Sequence, residues 1–483
     1  MAAGTAAPGS APVSPDPASA GRAARMDASA WAWAFYEGAR NPYVILCTIY
    51  ILAPYIVTQL FADPVVGQAT LSEWHRNAGF LVALTAPILG AIADRYGQRK
   101  PFLLVVTVAM VPLIYAMWWA MPAGQGGGLS VAMVGFLVMA VGVLFAWSEV
   151  LHNSMLGAAS RPDTLAMTSG IGLALGNLVS TLFLVVVLVG IALPGQVALP
   201  FVPDQPIFGL DPATHETSRV VAPISAVWFA LAAIPLFLLT RDSGRTAVSL
   251  AGAVVQGIGG MRRLVVDVAR NHANTGRFLL ARMLYVDGKV ALLIFGGVVA
   301  SGVFGWDLLE GTAYGLLLSV FAVAGGVMSG VLDNRIGPRN AVILELLVTM
   351  ACLAAMVTQA PGHVFLIPVE PGVAVWNSPV FATLPELVYL AAAMIIAISV
   401  TAAFGSSRTL LSTLAPPERM GEFFGLYGLA GSATVWLGPM LVGAFTTGFQ
   451  SQMAGLAAIL ILLAAGLVMM LTVRSPARQG GAG

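Results

Sequence analysis

The stretch Gly90–Lys100, GAIADRYGQRK, is a charged turn between two long apolar segments of the chain. A weaker copy, GVLDNRIGPRN, occupies Gly330–Asn340, 240 residues further along. Each copy follows the second hydrophobic segment of its half, and the matching positions are Arg95 and Arg335, Gly97 and Gly337, and Arg99 and Arg339. The repeat favours one membrane unit used twice over an ordinary basic loop, which is the alternative explanation.

The composition excludes a soluble globular protein. Hydrophobic residues make up 58% of the 483 residues and charged residues only 9%, with a mean hydropathy of +0.86. A soluble domain carries about 25% charged residues. The formal net charge of +1 argues against a nucleic-acid-binding protein. Cys47 and Cys352 lie in apolar runs of different halves, so they predict neither a disulfide nor a metal site, and we expect no cofactor.

Apolar runs of about 20 residues are long enough to cross a hydrocarbon layer roughly 30 Å thick. The sequence contains twelve such runs, which predict an all-α integral membrane protein with twelve transmembrane helices in two pseudo-symmetric six-helix bundles. The predicted spans are 29–61, 75–93, 101–121, 129–152, 165–193, 220–240, 278–304, 309–331, 340–359, 385–408, 419–446 and 449–473.

Arginine and lysine residues are concentrated on one side of these spans. Cytoplasmic loops retain such residues during insertion, so both chain termini are predicted to be cytoplasmic. This orientation leaves Arg76 and Arg219 for the opposite face. The residues that it places on the cytoplasmic side are Arg22, Arg25, Arg95, Arg99, Lys100, Arg161, Arg241, Arg245, Arg262, Arg263, Arg270, Arg277, Arg335, Arg339, Arg419, Arg474 and Arg478.

The predicted organisation has two membrane bundles joined by a linker. The first 26 residues are rich in Ala, Pro, Gly and Ser and lack the apolar run of a cleavable signal, so we expect a disordered cytoplasmic tail. The segments are the tail 1–26, the N-terminal bundle 27–240, the cytoplasmic linker 241–277, the C-terminal bundle 278–473 and a second cytoplasmic tail, 474–483.

The linker and the outer loops are the longest connections. In the linker, charged residues including Arg262, Arg263 and Arg270 alternate with aliphatic ones. This pattern predicts either a short helix on the membrane surface or a solvated linker with a helical turn. The outer loops 194–219 and 360–384 are rich in Pro and acidic residues, and we expect them to be irregular lids or plugs.

Ionisable side chains within the predicted spans are candidate functional groups, because a charge inside the membrane is costly. Glu37 and Arg40 are three positions apart in the first span and lie on one helix face. They can pair with each other, or each can serve a solute in a cavity. Asn41 and Tyr43 flank Pro42, which predicts a locally unwound backbone of the kind found near substrate sites.

The seventh span repeats the first, with an acidic residue followed by glycine at Asp287 as at Glu37. Lys289 is two positions from Asp287, about 200° around the helix, so these two charges cannot satisfy each other. Asp287 is therefore expected to find its partner on another helix. Arg282 is expected to extend out to the cytoplasmic end. Glu345 in the ninth span is a weaker candidate, which a neighbouring side chain could neutralise.

Polar side chains form stripes near the inner ends of two further spans. The fourth span carries Glu149, His152 and Asn153, and the tenth carries the run Ser406–Thr409, which includes Arg408. Each stripe predicts either a cytoplasmic gate between the halves or part of a substrate site.

The loop after the second span resembles the signature of the major facilitator superfamily, with Gln98 where a basic residue is usual. The resemblance covers nearly the whole chain and implies the major facilitator fold. In that family the acid of this loop faces the start of the eleventh helix, which implies that Asp94 lies near Glu418 and Arg419. The second copy departs further, with its acid one place early at Asp333. The predicted gating or conformational residues are Gly90, Asp94, Arg95, Gly97, Arg99, Asp333, Arg335, Glu149, Arg408 and Arg419.

More narrowly, the chain resembles the Unknown Major Facilitators, a branch related to the vacuolar amino-acid effluxers of autophagy. The motifs that carry this resemblance are Trp33-x-x-Tyr36-Glu37, Tyr285-x-Asp287-Gly288, Ser407-Arg408-Thr409, and Glu422-Phe423-Phe424-Gly425-Leu426-Tyr427 followed by Leu437-Gly438-Pro439. The branch usually has Asp in place of Glu37, Asn in place of Arg40 and a polar residue in place of Phe404. The substrate of those relatives is therefore not carried over to this chain.

These observations predict a secondary active transporter that works by alternating access. Its predicted substrate or coupling residues are Glu37, Arg40, Asn41, Tyr43, Asp287 and Lys289. Two acids and two cations in a low-dielectric cavity suit a zwitterionic solute such as an amino acid or a small peptide. Desolvated acids could also exchange protons, so protons are a candidate coupling ion.

Two alternatives stay open at this point: a transporter of drugs or amphipathic metabolites, and a non-transporting membrane sensor with the same fold. The sequence contains no nucleophile–base set, metal-ligand cluster or phosphate loop, so we do not expect an enzyme. We expect a monomer in a bacterial inner membrane, with a small solute and the lipid bilayer as its partners and no nucleic acid.

Overall fold

The computed structural model describes residues 25–161, 163–197, 200–244, 246, 248–416 and 419–475. The two predicted tails, 1–26 and 474–483, fall almost entirely outside the described residues, and so does the side chain of Asp94. Within the described part, the chain is helical apart from its loops and one two-stranded hairpin.

Each predicted span corresponds to one helix or to a broken helix. In chain order the helices are α1 (Ala28–Tyr43), α2 (Leu52–Gln59), α3 (Pro64–Tyr96), α4 (Lys100–Ala116), α5 (Val131–Ala159), α6 (Leu165–Val187), α7 (Glu216–Arg219), α8 (Val221–Ala232), α9 (Ile234–Leu239), α10 (Leu250–Asn271), α11 (Ala273–Phe304), α12 (Leu308–Ile336), α13 (Pro338–Met356), α14 (Leu384–Leu414), α15 (Met420–Ser432), α16 (Leu437–Phe449), α17 (Gln452–Ala457) and α18 (Ile459–Leu471). The outer loop 360–384 is less irregular than expected, since it contains the hairpin of β1 (His363–Val364) and β2 (Ile367–Pro368).

Polar caps and glycines set several helix ends. The side chains of Asp27 and Asp63 accept hydrogen bonds from the first turns of α1 and α3. Both α3 and α12 stop at a glycine with positive φ, Gly97 at 92° and Gly337 at 81°. L-residues with a side chain rarely adopt this conformation, so each copy of the repeated loop needs its glycine.

The second span is longer than predicted. Eleven helices or broken helices of the described part are long and apolar enough to cross a membrane, and the twelfth span is α3. It begins at Pro64 rather than at residue 75. Its early turns are polar, but Gln68 and Ser72 are fully buried, and Gln68 hydrogen-bonds to Thr446. Polar groups that are hydrogen-bonded inside the protein are tolerated in a membrane span. The predicted span rests on the apolar run alone, so it begins later in the chain than the helix does.

The first span is interrupted later than predicted. The helix α1 continues past Pro42, and the irregular part is a π-helical stretch, Val44–Tyr50, before α2. The predicted unwinding at residues 41–43 is therefore wrong in position. A proline frees the carbonyl four residues earlier, and here the Gly38 carbonyl accepts a hydrogen bond from Trp228 Nε1 at 2.9 Å, which lets the helix persist.

The two halves have matching internal packing. In the first half α5 packs on α3 and α4, and in the second half α14 packs on α12 and α13. The halves meet where α3 contacts α16 and where α6 contacts α12. The second and fifth spans of one half thus face the eleventh and eighth spans of the other, as two pseudo-symmetric bundles require.

The linker first hydrogen-bonds to the first copy of the repeated loop and then forms a helix. The Asp242 carboxylate accepts hydrogen bonds at 2.9 Å from the backbone N–H groups of Arg99 and Lys100, which caps α4. The Thr246 N–H donates to the Tyr96 carbonyl at 3.0 Å. The helix α10, 22 residues long, then packs along α3. We call this end of the molecule the linker side and the opposite end the far side.

Candidate functional site

A cavity of about 1630 Å³ lies between the two halves. Its walls come from both bundles, including Tyr43 and Phe145 in the first and Val286 and Phe404 in the second. It reaches the linker side, where Arg419 lines its mouth. A cavity of this size is large enough for a small organic solute.

Contacts between the halves close the far side. Gln68 on α3 donates to Thr446 Oγ1 at 2.8 Å, and Gln452 donates back to Gln68 Oε1 at 3.1 Å. The indole of Trp436 stacks on Phe80, with ring centroids 4.4 Å apart. The glutamine contacts separate the cavity from the far side, and the Trp436 stack joins the halves near the middle of α3.

Glu37 and Arg40 pair with each other. Arg40 Nη2 lies 2.9 Å from Glu37 Oε2, and the guanidinium lies over the Phe145 ring, 4.9 Å from its centroid. His152 Nδ1 on α5 lies 3.3 Å from Glu37 Oε1. Phe145 of α5 and the glycines Gly172 and Gly176 of α6 pack against the pair, which does not line the cavity.

The predicted polar stripe of the fourth span divides between two environments. His152 is fully buried, its ring stacks on Trp33 at 4.2 Å, and Trp33 Nε1 donates to the His152 carbonyl at 2.8 Å. Glu149 and Asn153 instead line the cavity. The stripe therefore supplies both a buried contact to Glu37 and an acid on the cavity wall.

In the second half, Asp287 bonds to another helix. Its Oδ2 accepts a hydrogen bond from the Gly438 N–H at 2.8 Å. Lys289 is fully buried, and its Nζ lies 5.1 Å from the centroid of the Tyr285 ring without a hydrogen-bond partner among the described residues. Glu345 lies near enough to Lys289 to interact with it electrostatically.

The predicted substrate or coupling residues thus occupy two layers. Tyr43 lines the cavity, whereas the others lie behind its wall: Glu37, Arg40, Asn41, Asp287 and Lys289. The proposed roles of all six residues in substrate binding or coupling stay predictions. Glu37 and Arg40 pair with each other on α1, and Asp287 bonds to α16 within its own half.

Of the predicted gating residues, five line the cavity: Gly90, Arg95, Glu149, Arg408 and Arg419. Arg99 belongs to the loop instead and donates to Ser243 Oγ at 2.7 Å. In the second copy of the loop, Arg335 is exposed, while Asp333 is half-buried and interacts electrostatically with Glu345.

The described contacts of Arg419 are with acids of the linker side. Its Nη1 lies 2.7 Å from Asp267 Oδ2 on α10, and its Nη2 lies 2.7 Å from Glu422 Oε2. Hydrogen bonds from Arg419 and Asn271 hold the pKa of the Asp267 carboxyl below its usual value. The predicted approach of Asp94 to Arg419 lies outside the described side chains and stays a prediction.

The predicted extension of Arg282 to the end of its helix is wrong. This side chain does not extend to the linker-side end of α11, because its Nη1 donates to the Tyr427 carbonyl at 2.7 Å and its guanidinium lies over the Tyr427 ring. It lines the cavity together with Val286. The helical period could have indicated this position, because Arg282 and Val286 are four positions apart and share a helix face.

Two six-helix bundles around a cavity that opens to one side define a membrane transporter of the major facilitator superfamily. A model of the family described as "Vacuole effluxer Atg22 like" matches residues 158–479. The chain belongs to this family.

Individual proteins with a related sequence or fold agree with this assignment. An uncharacterized MFS-type transporter, YxiO of Bacillus subtilis (strain 168), is 22% identical over 455 residues, covering 91% of this chain and 93% of that protein. The structure of the nucleoside transporter NupG superposes with a TM-score of 0.63 at 10% identity, covering 92% of this chain and 99% of that one. The peptide transporter POT in complex with sulfate gives a TM-score of 0.59 at 15% identity, with coverages of 92% and 93%.

Structural likeness at such low identity shows the fold and not the solute. The family match favours a transporter over a sensor. The chain is therefore a multi-pass integral membrane transporter and not an enzyme.

Proposed function

We propose that this transporter moves zwitterionic solutes, with amino acids as the first class to test, by alternating access of its cavity to the two sides of the membrane. The observation that carries the proposal is that two opposite charges line the same cavity, Glu149 on α5 of the first half and Arg282 on α11 of the second. At about 1.5 Å per residue, each lies roughly 15 Å from the linker-side end of its helix.

Arg282 has hydrogen-bonding capacity for a solute carboxylate. Its Nη1 is engaged by the Tyr427 carbonyl, but its Nε is buried without a hydrogen-bond partner among the described residues. An unsatisfied buried N–H is costly, so a carboxylate oxygen that reached it would bind favourably. Lys289 lies two turns further along the same helix and adds positive potential.

Glu149 is the corresponding group for a solute ammonium. Its side chain faces the cavity, and the Arg40 charge behind it is already paired with Glu37. A zwitterion between Glu149 and Arg282 would find an opposite charge at each end. A solute with a single charge would leave one of the two walls uncompensated, which is costly in a low-dielectric cavity.

The contacts of His152 support protons as the coupling ion. Its Nε2 faces the Trp33 carbonyl at 2.9 Å, which favours a hydrogen on that nitrogen. Its Nδ1 then faces Glu37 Oε1 at 3.3 Å. Histidine is the side chain whose charge ordinarily changes near neutral pH, and these contacts place it directly against the Glu37–Arg40 pair.

A second candidate solute is an amphipathic metabolite or drug. Much of the cavity wall is apolar, with Leu52, Ile56, Val82, Phe145 and Ile294 among its residues. A bulky apolar solute would contact these side chains and use one of the charged walls or neither.

We further propose that the linker side is cytoplasmic and that the protein acts as a monomer in a bacterial inner membrane. Arg262, Arg263 and Arg270 of α10 lie on the linker side, and cytoplasmic segments retain positive residues during insertion. The Bacillus subtilis relative supports a bacterial membrane.

The experiment that tests the solute is counterflow of a labelled amino-acid mixture into proteoliposomes, which requires no knowledge of the driving ion. We expect the native protein to accumulate label and the variants Glu149→Gln and Arg282→Gln to lose at least about tenfold in initial rate. Glu73→Gln is the matched control, because Glu73 is 58% exposed and lies on the outer part of α3.

Failure of well-folded native protein to accumulate any amino acid would refute the zwitterion proposal. Accumulation of labelled apolar amines by the same vesicles would then favour the second candidate. In a parallel series from pH 5.5 to 8, His152→Gln should flatten the pH dependence of counterflow. An unchanged pH profile in this variant would remove the His152 cluster from coupling.

A further inference from the structure

The eleventh span is broken partway along its length, where it contacts α3 of the other half. The helix α15 ends at Ser432 and α16 begins at Leu437, and the backbone between them is irregular. Before the break, α15 lines the cavity with residues such as Leu429, while after it α16 packs on α3 of the other half. The part of the span before the break therefore lines the cavity, and the part after it packs against the other half.

The seventh span, α11, holds this break at three points. Before the break, Arg282 donates to a carbonyl of α15 at 2.7 Å. Within the break, Thr434 Oγ1 donates to the Met283 carbonyl at 2.9 Å. After the break, the Gly438 N–H donates to Asp287 Oδ2 at 2.8 Å. We call these three contacts the clasp.

Asp287 is well placed to hold the start of α16. The first N–H groups of a helix lack acceptors within the helix, and the helix dipole favours a negative charge there. Asp287 is 1% exposed, so water does not compete for this hydrogen bond. Gly438 permits the close approach, because a Cβ at its position would lie 2.8 Å from Ala291 Cβ.

The break also carries a contact between the two halves, made by Trp436. Trp436 stacks on Phe80 of α3, and its backbone approaches Gly79 so closely that a Cβ on Gly79 would lie 2.7 Å from Trp436 Cα. These contacts are short, so a small change in the angle between α15 and α16 would separate Trp436 from α3.

We infer that the break between α15 and α16 is the hinge at which the eleventh span bends when the far side opens. Asp287 is the positioning residue that holds the hinge in the state seen here, and release of the clasp lets α16 leave α3. The inference rests on the proposed alternating access and does not depend on the identity of the solute.

The test is double electron–electron resonance on the full chain in lipid nanodiscs, in a background with Cys47 and Cys352 replaced. Spin labels at Val66 and Phe449 report the far side, because both positions are exposed and lie at the far-side ends of α3 and α16. Labels at Leu165 and Ile336 report the linker side in the same way. We expect the native protein to show mainly the short far-side distance.

Two variants release the clasp to different extents. Asp287→Ala should raise the ratio of long to short far-side distances by about tenfold or more, the effect expected for loss of a charge-assisted hydrogen bond. Thr434→Val preserves shape and should raise the ratio by about two- to tenfold. In both variants the linker-side distance should shorten in parallel.

Thr349→Val is the matched control. Thr349 is fully buried, and its hydroxyl bonds to Ser399 within the second half at 2.8 Å, with no part in the clasp. This variant should leave both distance distributions unchanged.

Unchanged far-side distances in Thr434→Val and Asp287→Ala, with native elution profiles, would overturn the hinge. If Asp287→Ala does not fold, Thr434→Val decides the question alone. Shifted distances together with failed amino-acid counterflow would refute the proposed solute and support the hinge.

Discussion

Removal of the Arg40 charge should destabilise this protein far more than removal of a matched exposed charge. Arg40 makes three contacts with the Glu37 carboxylate, at 2.9 to 3.1 Å. Arg40→Met keeps the length of the side chain but leaves the Glu37 charge behind the cavity wall without its guanidinium. Breaking a buried pair from one side costs about 3–5 kcal/mol. Since Glu37 is 17% exposed, we expect a value near the lower limit, about 3 kcal/mol.

The assay is thermal unfolding in detergent, followed by tryptophan fluorescence at one fixed scan rate. A loss of about 3 kcal/mol in a bundle of some 200 residues lowers the melting temperature by roughly 10 °C. The double variant with Glu37→Gln removes both charges and should recover about half of this loss or more, because no buried charge is left unpaired.

The chain offers a matched control in Glu73 and Arg76. This pair has the same spacing and the same 2.9 Å contact, but its side chains are 58% and 33% exposed. Exposed pairs contribute about 0–1 kcal/mol, so Arg76→Met should change the melting temperature by no more than about 3 °C. Equal melting temperatures for Arg40→Met and Arg76→Met would refute the reasoning, and so would a double variant less stable than Arg40→Met.

Three further predictions concern the ends of the molecule. Gly79→Leu should prevent the close approach of Trp436 and increase labelling of a cysteine introduced at the cavity residue Leu71 by a membrane-impermeant maleimide added on the far side, whereas native labelling would contradict the steric argument. Asp242→Ala should lower the melting temperature by a few degrees through loss of a cap worth about 1 kcal/mol, while Asp242→Asn, which keeps an acceptor, should lower it less. Because the pKa of Asp267 is lowered in the folded protein, its contact with Arg419 should persist from pH 8 to pH 5 and weaken only as the pH falls through that lowered value. Hydrogen exchange of α10 measures this directly, and a loss of protection above pH 5 would contradict it.

The sequence predicted well where local rules decide the outcome. The spacing of Glu37 and Arg40 places them on one helix face, and the structure has them paired. The angle between Asp287 and Lys289 excludes a mutual contact, and Asp287 bonds to Gly438 on another helix. These inferences require only the helical period, which the membrane enforces on each span.

Other features were missed although a signal was present. Pro439 follows the break in the eleventh span closely, and proline is common in the first turn of a helix, so its position indicated a new helix start there. The polar run around Gln68 hid the true start of α3, since hydropathy cannot show that its partner is Thr446, 378 residues away.

The membrane class, the helical spans and the repetition of one half follow from the order of residues alone, because apolar length and helical period are local properties of the chain. The positions of Glu149 and Arg282 on the cavity wall, with Glu37, Arg40, Asp287 and Lys289 behind it, do not follow from that order. They depend on how each helix is rotated against neighbours from distant parts of the chain. That rotation is set by packing and by long-range hydrogen bonds, which exist only once the bundles have assembled.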